Sequence, residues 1–254
     1  MTTLLYDGTF EGLFTAIFEV YEYKFQPAEI ISIDQYKTES IFSDPHEVIT
    51  NEVKANRVLQ KLENNLGKKG VSQLLRVYLS ENENAERLIL SAVSLSLKFP
   101  KDPVLNNFAN VDMMDIAKIT KSISREVHRM HAFVRFEKLQ DEVYFSKIEP
   151  DFNVLPLIIS HFKNRYQDQK WMIYDLKRYY GIFYDLKDTQ FFEPALEQTS
   201  QLKRTTNILH EEEMQYQKLW QRYFFKTNIP ERKNLKLHVQ SLPKRYWKYL
   251  TEKL

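Results

Sequence analysis

VYFSKIEPDFNVLPLIISHFKNRYQDQKWMIYDLKRYYGIFYD, residues 143–185, is the stretch that decides the fold. Val143-Tyr144-Phe145 has the β-branched and aromatic make-up of a strand. Val154 to Tyr166 carries its apolar residues at helical spacing, with Pro156 in the first turn. Trp171-Met172-Ile173-Tyr174 and Gly181-Ile182-Phe183-Tyr184 read as two further strands joined through Asp175 to Tyr180. Just upstream, Met130, Ala132, Val134 and Phe136 alternate with His131, Phe133 and Arg135. That period of two predicts a strand pairing with 143–145 across Gln140-Asp141-Glu142. The order strand, strand, helix, strand, strand gives a small antiparallel sheet in the second half of an otherwise mainly helical α+β chain.

Toward the N-terminus, Leu4-Leu5-Tyr6 reads as a short strand, Gly8 as a turn and Thr9 as a helix cap. Phe10, Leu13, Phe14, Ile17, Phe18 and Tyr21 follow at three- and four-residue spacing, which predicts a helix that is almost wholly buried. Ile30 to Ile33 is a second candidate strand. Ser43-Asp44-Pro45 has the form of a helix start, opening a pattern through Val48, Val53, Leu59 and Leu62 that closes near Gly67. Helices are also predicted from Val71 to about Tyr78, from Ala85 to Leu97, and through Met113, Ile116, Ile119 and Ile123. Toward the C-terminus, a long amphipathic helix from Thr205 places Leu209, Tyr216, Leu219, Trp220 and Tyr223 on one face and Glu211 to Glu213 outside. Beyond Asn228-Ile229-Pro230, a basic connector leads to a short last helix at Pro243 to Leu250. With no repeat or low-complexity linker, residues 1–254 read as one integrated domain, whose lobes would be a helical 1–127 and a sheet-bearing 128–254.

At 254 residues and 43% hydrophobic content the chain can bury a real core, and five glycines argue against turn-rich β architecture. There is no cysteine, which excludes disulfides, iron–sulfur ligation, Cys-bound zinc and a Cys nucleophile. The opening MTTLLYDGTF lacks the basic region and long apolar run of an export signal, and no stretch approaches the ~20 apolar residues of a membrane span, so a cytoplasmic location away from membranes is expected. The net charge of +2 is unevenly spread: residues 1–127 hold 14 Lys+Arg against 18 Asp+Glu, whereas 226–254 hold 8 against 2. The basic character is C-terminal.

Neither a Walker loop nor a dinucleotide fingerprint can be built from Gly8, Gly12, Gly67, Gly70 and Gly181, so no nucleotide cofactor is expected. Asp7 and Glu11 flank a helix start, where they serve either capping or catalysis. His131, with His128 and Glu149, Asp151 or Asp175, makes a nitrogen and oxygen donor set, but on a strand a spacing of three turns the two rings to opposite faces, and no metal is expected. Glu149 and Asp151 flank Pro150 at a strand exit, a place for cleft groups or for turn geometry. Asp7, Glu11, His131, Glu149, Asp151 and Asp175 are therefore the candidates for catalysis. The cationic and aromatic set is larger: Arg232, Lys233, Lys236, Lys244, Arg245 and Lys248 interleave with Tyr246 and Trp247, and Lys177-Arg178 lies between two strands. Lys and Arg neutralise phosphates while aromatic faces stack on unpaired bases. Helix-end electrostatics and core anchoring by Trp247 are the alternatives.

The blocks YDGTFEGLFTAIFEVY (Tyr6 to Tyr21), VHRMHAFVRF (Val127 to Phe136), IEPDFNVLPLIISHFKNRY (Ile148 to Tyr166), WMIYDLKRYYGIFYD (Trp171 to Asp185) and LPKRYWKYLTEK (Leu242 to Lys253) together resemble a bacterial family labelled as DNA metabolism and DNA repair proteins. Its members neighbour a radical SAM DNA-repair protein, and related domains are fused to uracil-DNA-glycosylase-like domains. The resemblance implies a role on DNA and a radical SAM protein as partner; it carries no catalytic residues over. The expectation is a DNA-binding accessory protein of repair or modification that contacts phosphates and bases of single-stranded or damaged duplex DNA through the basic aromatic C-terminal region, with Lys177 and Arg178 adding phosphate contacts and Tyr246 or Trp247 stacking. The alternatives are an enzyme acting on DNA and a scaffold for a partner protein.

Overall fold

A computed structural model describes residues 2–36, 45–194, 209–227 and 234–253. The chain divides into two compact units, Met1–Ile123 and Ser124–Leu254.

In the first unit, strand β1 (Thr2–Tyr6) runs into helix α1 (Phe10–Glu22), whose cap is Thr9: its hydroxyl accepts from the Gly12 amide at 2.9 Å. Leu13, Phe14 and Ile17 are wholly buried, as their spacing predicts. β2 (Ala28–Ser32) and β3 (His46–Glu47) pair on either side of β1, both parallel to it. β1 and β2 stand where Leu4-Leu5-Tyr6 and Ile30 to Ile33 predict strands; β3 is the addition, too brief to show a period. The expected helix start at Ser43-Asp44 lies outside the described residues; α2 (Glu52–Leu79) begins later, capped by Asn51, whose side chain accepts from the Lys54 amide at 3.1 Å. Val48 thus precedes the helix. Gly67, at φ 71° and ψ 170°, breaks α2 where the pattern predicted one helix to close and another to begin. α3 (Ala85–Lys98) and the first turns of α4 (Val111–Phe133) complete a core of Leu4, Phe14, Leu62, Leu74, Ile89 and Met113.

The unit boundary falls within α4, and this helix overturns one expectation. Residues 130–133 are helical, with no strand from Met130 to Phe136. Ile116, Ile123 and Met130, all buried, lie seven residues apart, so the helical period runs straight through the segment that also alternates. The hairpin partner is instead β4 (Glu137–Lys138), antiparallel to β5 (Tyr144–Ile148). Helix α5 (Leu155–Arg165) then carries the chain to β6 (Trp171–Asp175), followed by β7 (Tyr180–Tyr184) and β8 (Thr189–Phe192), giving the order β4-β5-β6-β7-β8. The predicted succession of strand, strand, helix, strand, strand is present, with β8 added. The sheet is mixed, because a helical crossover returns the chain to its starting end and makes β5 and β6 parallel. Phe145, Ile158, Phe162, Trp171, Ile173 and Ile182 are buried around it.

The predicted helix start at Thr205 and the Asn228 to Pro230 break lie outside the described residues. Within them, Leu209 forms a β-bridge to Leu139, and α6 spans Glu213–Thr227. Glu213 is buried, contrary to its expected outward position, because its carboxylate accepts from the Lys138 amide at 3.0 Å and so caps the end of β4. α7 (Leu235–Ser241) and a 3-10 turn at Lys244–Tyr249 follow. Among the described residues no helix is long and apolar enough to cross a membrane.

Candidate functional site

Ile148 and Asp175 are paired at the ends of β5 and β6, so the turns that leave these parallel strands lie side by side. Asp175 is wholly buried. Its carboxylate accepts from the Lys177 amide at 2.8 Å and from the Arg178 guanidinium at 2.8 Å. Burial raises its pKa, and the Arg178 pairing offsets that only in part. Arg178 and Lys177 each donate to the Asp151 carbonyl at 3.0 Å, holding the Glu149-Pro150-Asp151 turn.

The C-terminal turn closes over this corner. Arg245 reaches Asp151 at 2.7 Å and Glu126 at 2.9 Å; Lys248 pairs with Glu149, which also accepts from the Tyr249 hydroxyl at 2.6 Å. Lys248 first, and then Tyr249, hold the Glu149 carboxyl below the ordinary range; burial and Glu149 push Tyr249 up to about 12. Glu126, on α4, is 1% exposed. Burial raises its pKa, but the Tyr246 hydroxyl, the Asp151 amide and Arg245 together outweigh that and hold the carboxyl below its ordinary value.

Eight of the sequence candidates therefore converge: Glu149, Asp151, Asp175, Lys177, Arg178, Arg245, Tyr246 and Lys248. Their charges are largely matched to one another. Tyr246, 3% exposed and bonded to Glu126, has no ring face to offer a base. Trp247 is half-buried, donating to the Leu242 carbonyl at 3.1 Å, with His238 and Lys253 against its ring. Lys236 and Lys244 are exposed, and Arg232 and Lys233 lie outside the described residues. Asp7 and Glu11 belong to the first unit, where Asp7 accepts from Thr9 and from Thr50 at 2.7 Å in a local capping network. Glu126, the hub of the corner, was not among the candidates.

His131 stands apart from that corner, on a cleft of about 850 Å³ lined by α4, α5, β5, β6 and α6. As part of a helix, His128 and His131 are one turn apart, which removes the strand-based reason for separating them, although among the described residues no group of three or more His, Cys, Asp and Glu could hold a metal. The ring facing His131 is His161, stacked at 3.9 Å. Desolvation lowers the pKa of both; His161 adds to the effect at His131, and Arg165 at His161. Both rings are therefore largely uncharged near neutral pH, which allows them to stack. Phe162, Tyr166 and Trp171 continue this wall, and α6 supplies the other with Tyr216, Leu219, Trp220 and Tyr223. These α6 side chains form the predicted face, yet they are exposed, Trp220 by 39%. Glu252 fixes Trp220 by accepting from its indole at 2.9 Å and from Arg135 at 2.8 Å. Arg165 lines the cleft with no carboxylate partner among the described residues, and Lys218, Arg222 and Lys226, also without one, share the outer side of α6 at four-residue spacing.

Residues 83–252 match the family described as a domain of unknown function, DUF4130. The chain belongs to this family. The DUF4130 region takes in both the paired corner and the aromatic cleft, together with four of the five blocks quoted above up to Glu252; the block Tyr6 to Tyr21 precedes it. No curated protein matches the chain.

Proposed function

We propose that this DUF4130 protein is a cytoplasmic DNA-binding accessory protein of DNA repair or modification, holding single-stranded or locally opened DNA across α6. The observation that carries the reading is the make-up of that helix: Tyr216, Trp220 and Tyr223 stand exposed on the cleft side, while Lys218, Arg222 and Lys226 line the outer side without carboxylate partners among the described residues. Aromatic faces beside free cations suit unpaired bases and phosphates, since every base has a face to stack and every phosphate releases counterions when neutralised. Lys236 and Lys244, exposed further along the chain, extend the cationic surface. The resemblance to DNA metabolism proteins agrees with this role and suggests a radical SAM DNA-repair protein as the partner that does the chemistry.

A salt titration of the purified protein against single-stranded, duplex and gapped DNA tests the reading. Binding that weakens steeply with salt and favours single-stranded or gapped DNA is expected; no binding at low salt to any of the three would overturn it.

A second reading, an enzyme acting on DNA, draws on the convergence of Glu149, Asp151 and Asp175 at the ends of two parallel strands. Against it, each is engaged by a cation or a backbone amide of the same corner.

A further inference from the structure

Resting on the DNA-binding reading, we propose that the cleft under α6 receives one unstacked base of a bound strand, with Trp220 as its stacking face and Arg165 as the partner of its phosphate. The cleft has the size and composition of a site for an aromatic group: about 850 Å³, within the range of small-molecule pockets, walled by rings from both α5 and α6. Trp220 is fixed in place before any ligand arrives. Its indole N–H is bonded to Glu252, Arg135 lies 5.9 Å from its ring centre, and Tyr223 stacks against it at 5.6 Å. A preorganised ring loses little freedom on stacking. Glu252 is accordingly a positioning residue for this face.

Charge selects the kind of aromatic group. Arg165 lies on the cleft with no carboxylate among the described residues to neutralise it, while Arg135 is held by Glu252 and Lys138 by Glu142. One uncompensated guanidinium beside an aromatic cavity fits a base that carries a phosphate better than a neutral ring. Two polar atoms of lining residues, His131 Nε2 and Trp171 Nε1, are buried without a hydrogen-bond partner among the described residues. Such atoms are costly unmatched, and the polar edge of a base supplies both donors and acceptors once the neighbouring side chains part to admit it.

The test uses the full chain and a single-stranded oligonucleotide carrying 2-aminopurine, whose emission falls when it stacks on an aromatic ring. Binding is expected to quench the probe. Trp220→Ala should restore emission in the complex and weaken affinity by about tenfold, Trp220→Phe should keep most of the quenching, and Arg165→Ala should weaken binding while leaving the residual complex quenched. Both side chains are exposed, so these variants are expected to fold. Saturable DNA binding with unchanged emission, or equal quenching by Trp220→Ala, would overturn the base-in-cleft inference and leave the DNA-binding reading standing. Quenching of free 2-aminopurine nucleoside monophosphate without any binding of the strand would assign the cleft to a free nucleotide and overturn the inference. No binding of either would remove the functional reading and this inference with it.

Discussion

Glu126 shows what a single buried carboxylate requires. At 1% exposure it has lost its hydration, and it remains charged because the Arg245 guanidinium, the Tyr246 hydroxyl and the Asp151 amide, at 3.0 Å, all converge on it. Glu126→Ala leaves the Tyr246 hydroxyl and the Asp151 amide without this acceptor and Arg245 with Asp151 alone, and a loss of about 3 kcal/mol is expected; Tyr246→Phe removes one donor and should cost about 1 kcal/mol. The pH dependence has a definite sign. Because the folded carboxyl titrates below its ordinary value, the unfolded chain takes up the proton first as pH falls. The contribution of Glu126 is thus full above about pH 4.3 and disappears as pH drops through the folded value. Urea unfolding of wild type and Glu126→Ala at pH 7 and pH 3 checks this: the gap between them should narrow at the lower pH. A gap that stays constant would mean that Glu126 acts through packing rather than charge.

Among the elements, β7 and β8 depend on a residue with no side chain. Gly181 sits opposite Phe192, and a Cβ there would lie 2.4 Å and 2.6 Å from carbons of the Phe192 ring and 2.8 Å from the Ile173 carbonyl oxygen. The ring can swing away; the carbonyl belongs to the neighbouring strand and cannot. Gly181→Ala is expected to destabilise by roughly 1–3 kcal/mol, and Gly181→Ala with Phe192→Ala to recover only the part due to the ring. A double variant whose destabilisation equals the sum of both single effects would show that ring and glycine do not interact. The elements also show which parts of the fold the sequence exposes. α1, α3 and α5, and the strands β6 and β7, were legible because each repeats its own period between clear caps or turns. Residues 130–136 were not, since a few alternating residues satisfy both periods and only the continuation of α4 from Ile116 decides between them. The exposed face of α6 looked like an ordinary core stripe, because hydrophobic spacing reports a shared face and not what covers it. Glu126 escaped for a different reason: its main partners, Arg245 and Tyr246, lie 119 and 120 residues away, a pairing that no local pattern carries.

For the whole molecule, a net charge of +2 understates how unevenly charge is available to a polyanion. A cation without a carboxylate partner is the one available to a phosphate, so a count of lysines and arginines along the chain does not locate the available charge. The C-terminal turn is rich in basic residues, but Arg245 and Lys248 are engaged by Glu126, Asp151 and Glu149, whereas Lys218, Arg222 and Lys226 on α6 have no carboxylate among the described residues. Removing a paired lysine leaves phosphate neutralisation as it was; removing a free one reduces it. Lys218, Arg222 and Lys226 changed together to Ala should therefore flatten the log–log salt dependence of single-stranded DNA binding by roughly 0.7 for each phosphate that is no longer neutralised, about two in all. Lys248→Ala should leave the slope of wild type intact, since its ammonium is already held by Glu149. Equilibrium titrations at four or five salt concentrations separate the two. An unchanged slope in the α6 variant together with a flattened slope in Lys248→Ala would move the phosphate-binding surface from α6 back to the C-terminal turn, and would require the Glu149 pairing to open when DNA arrives.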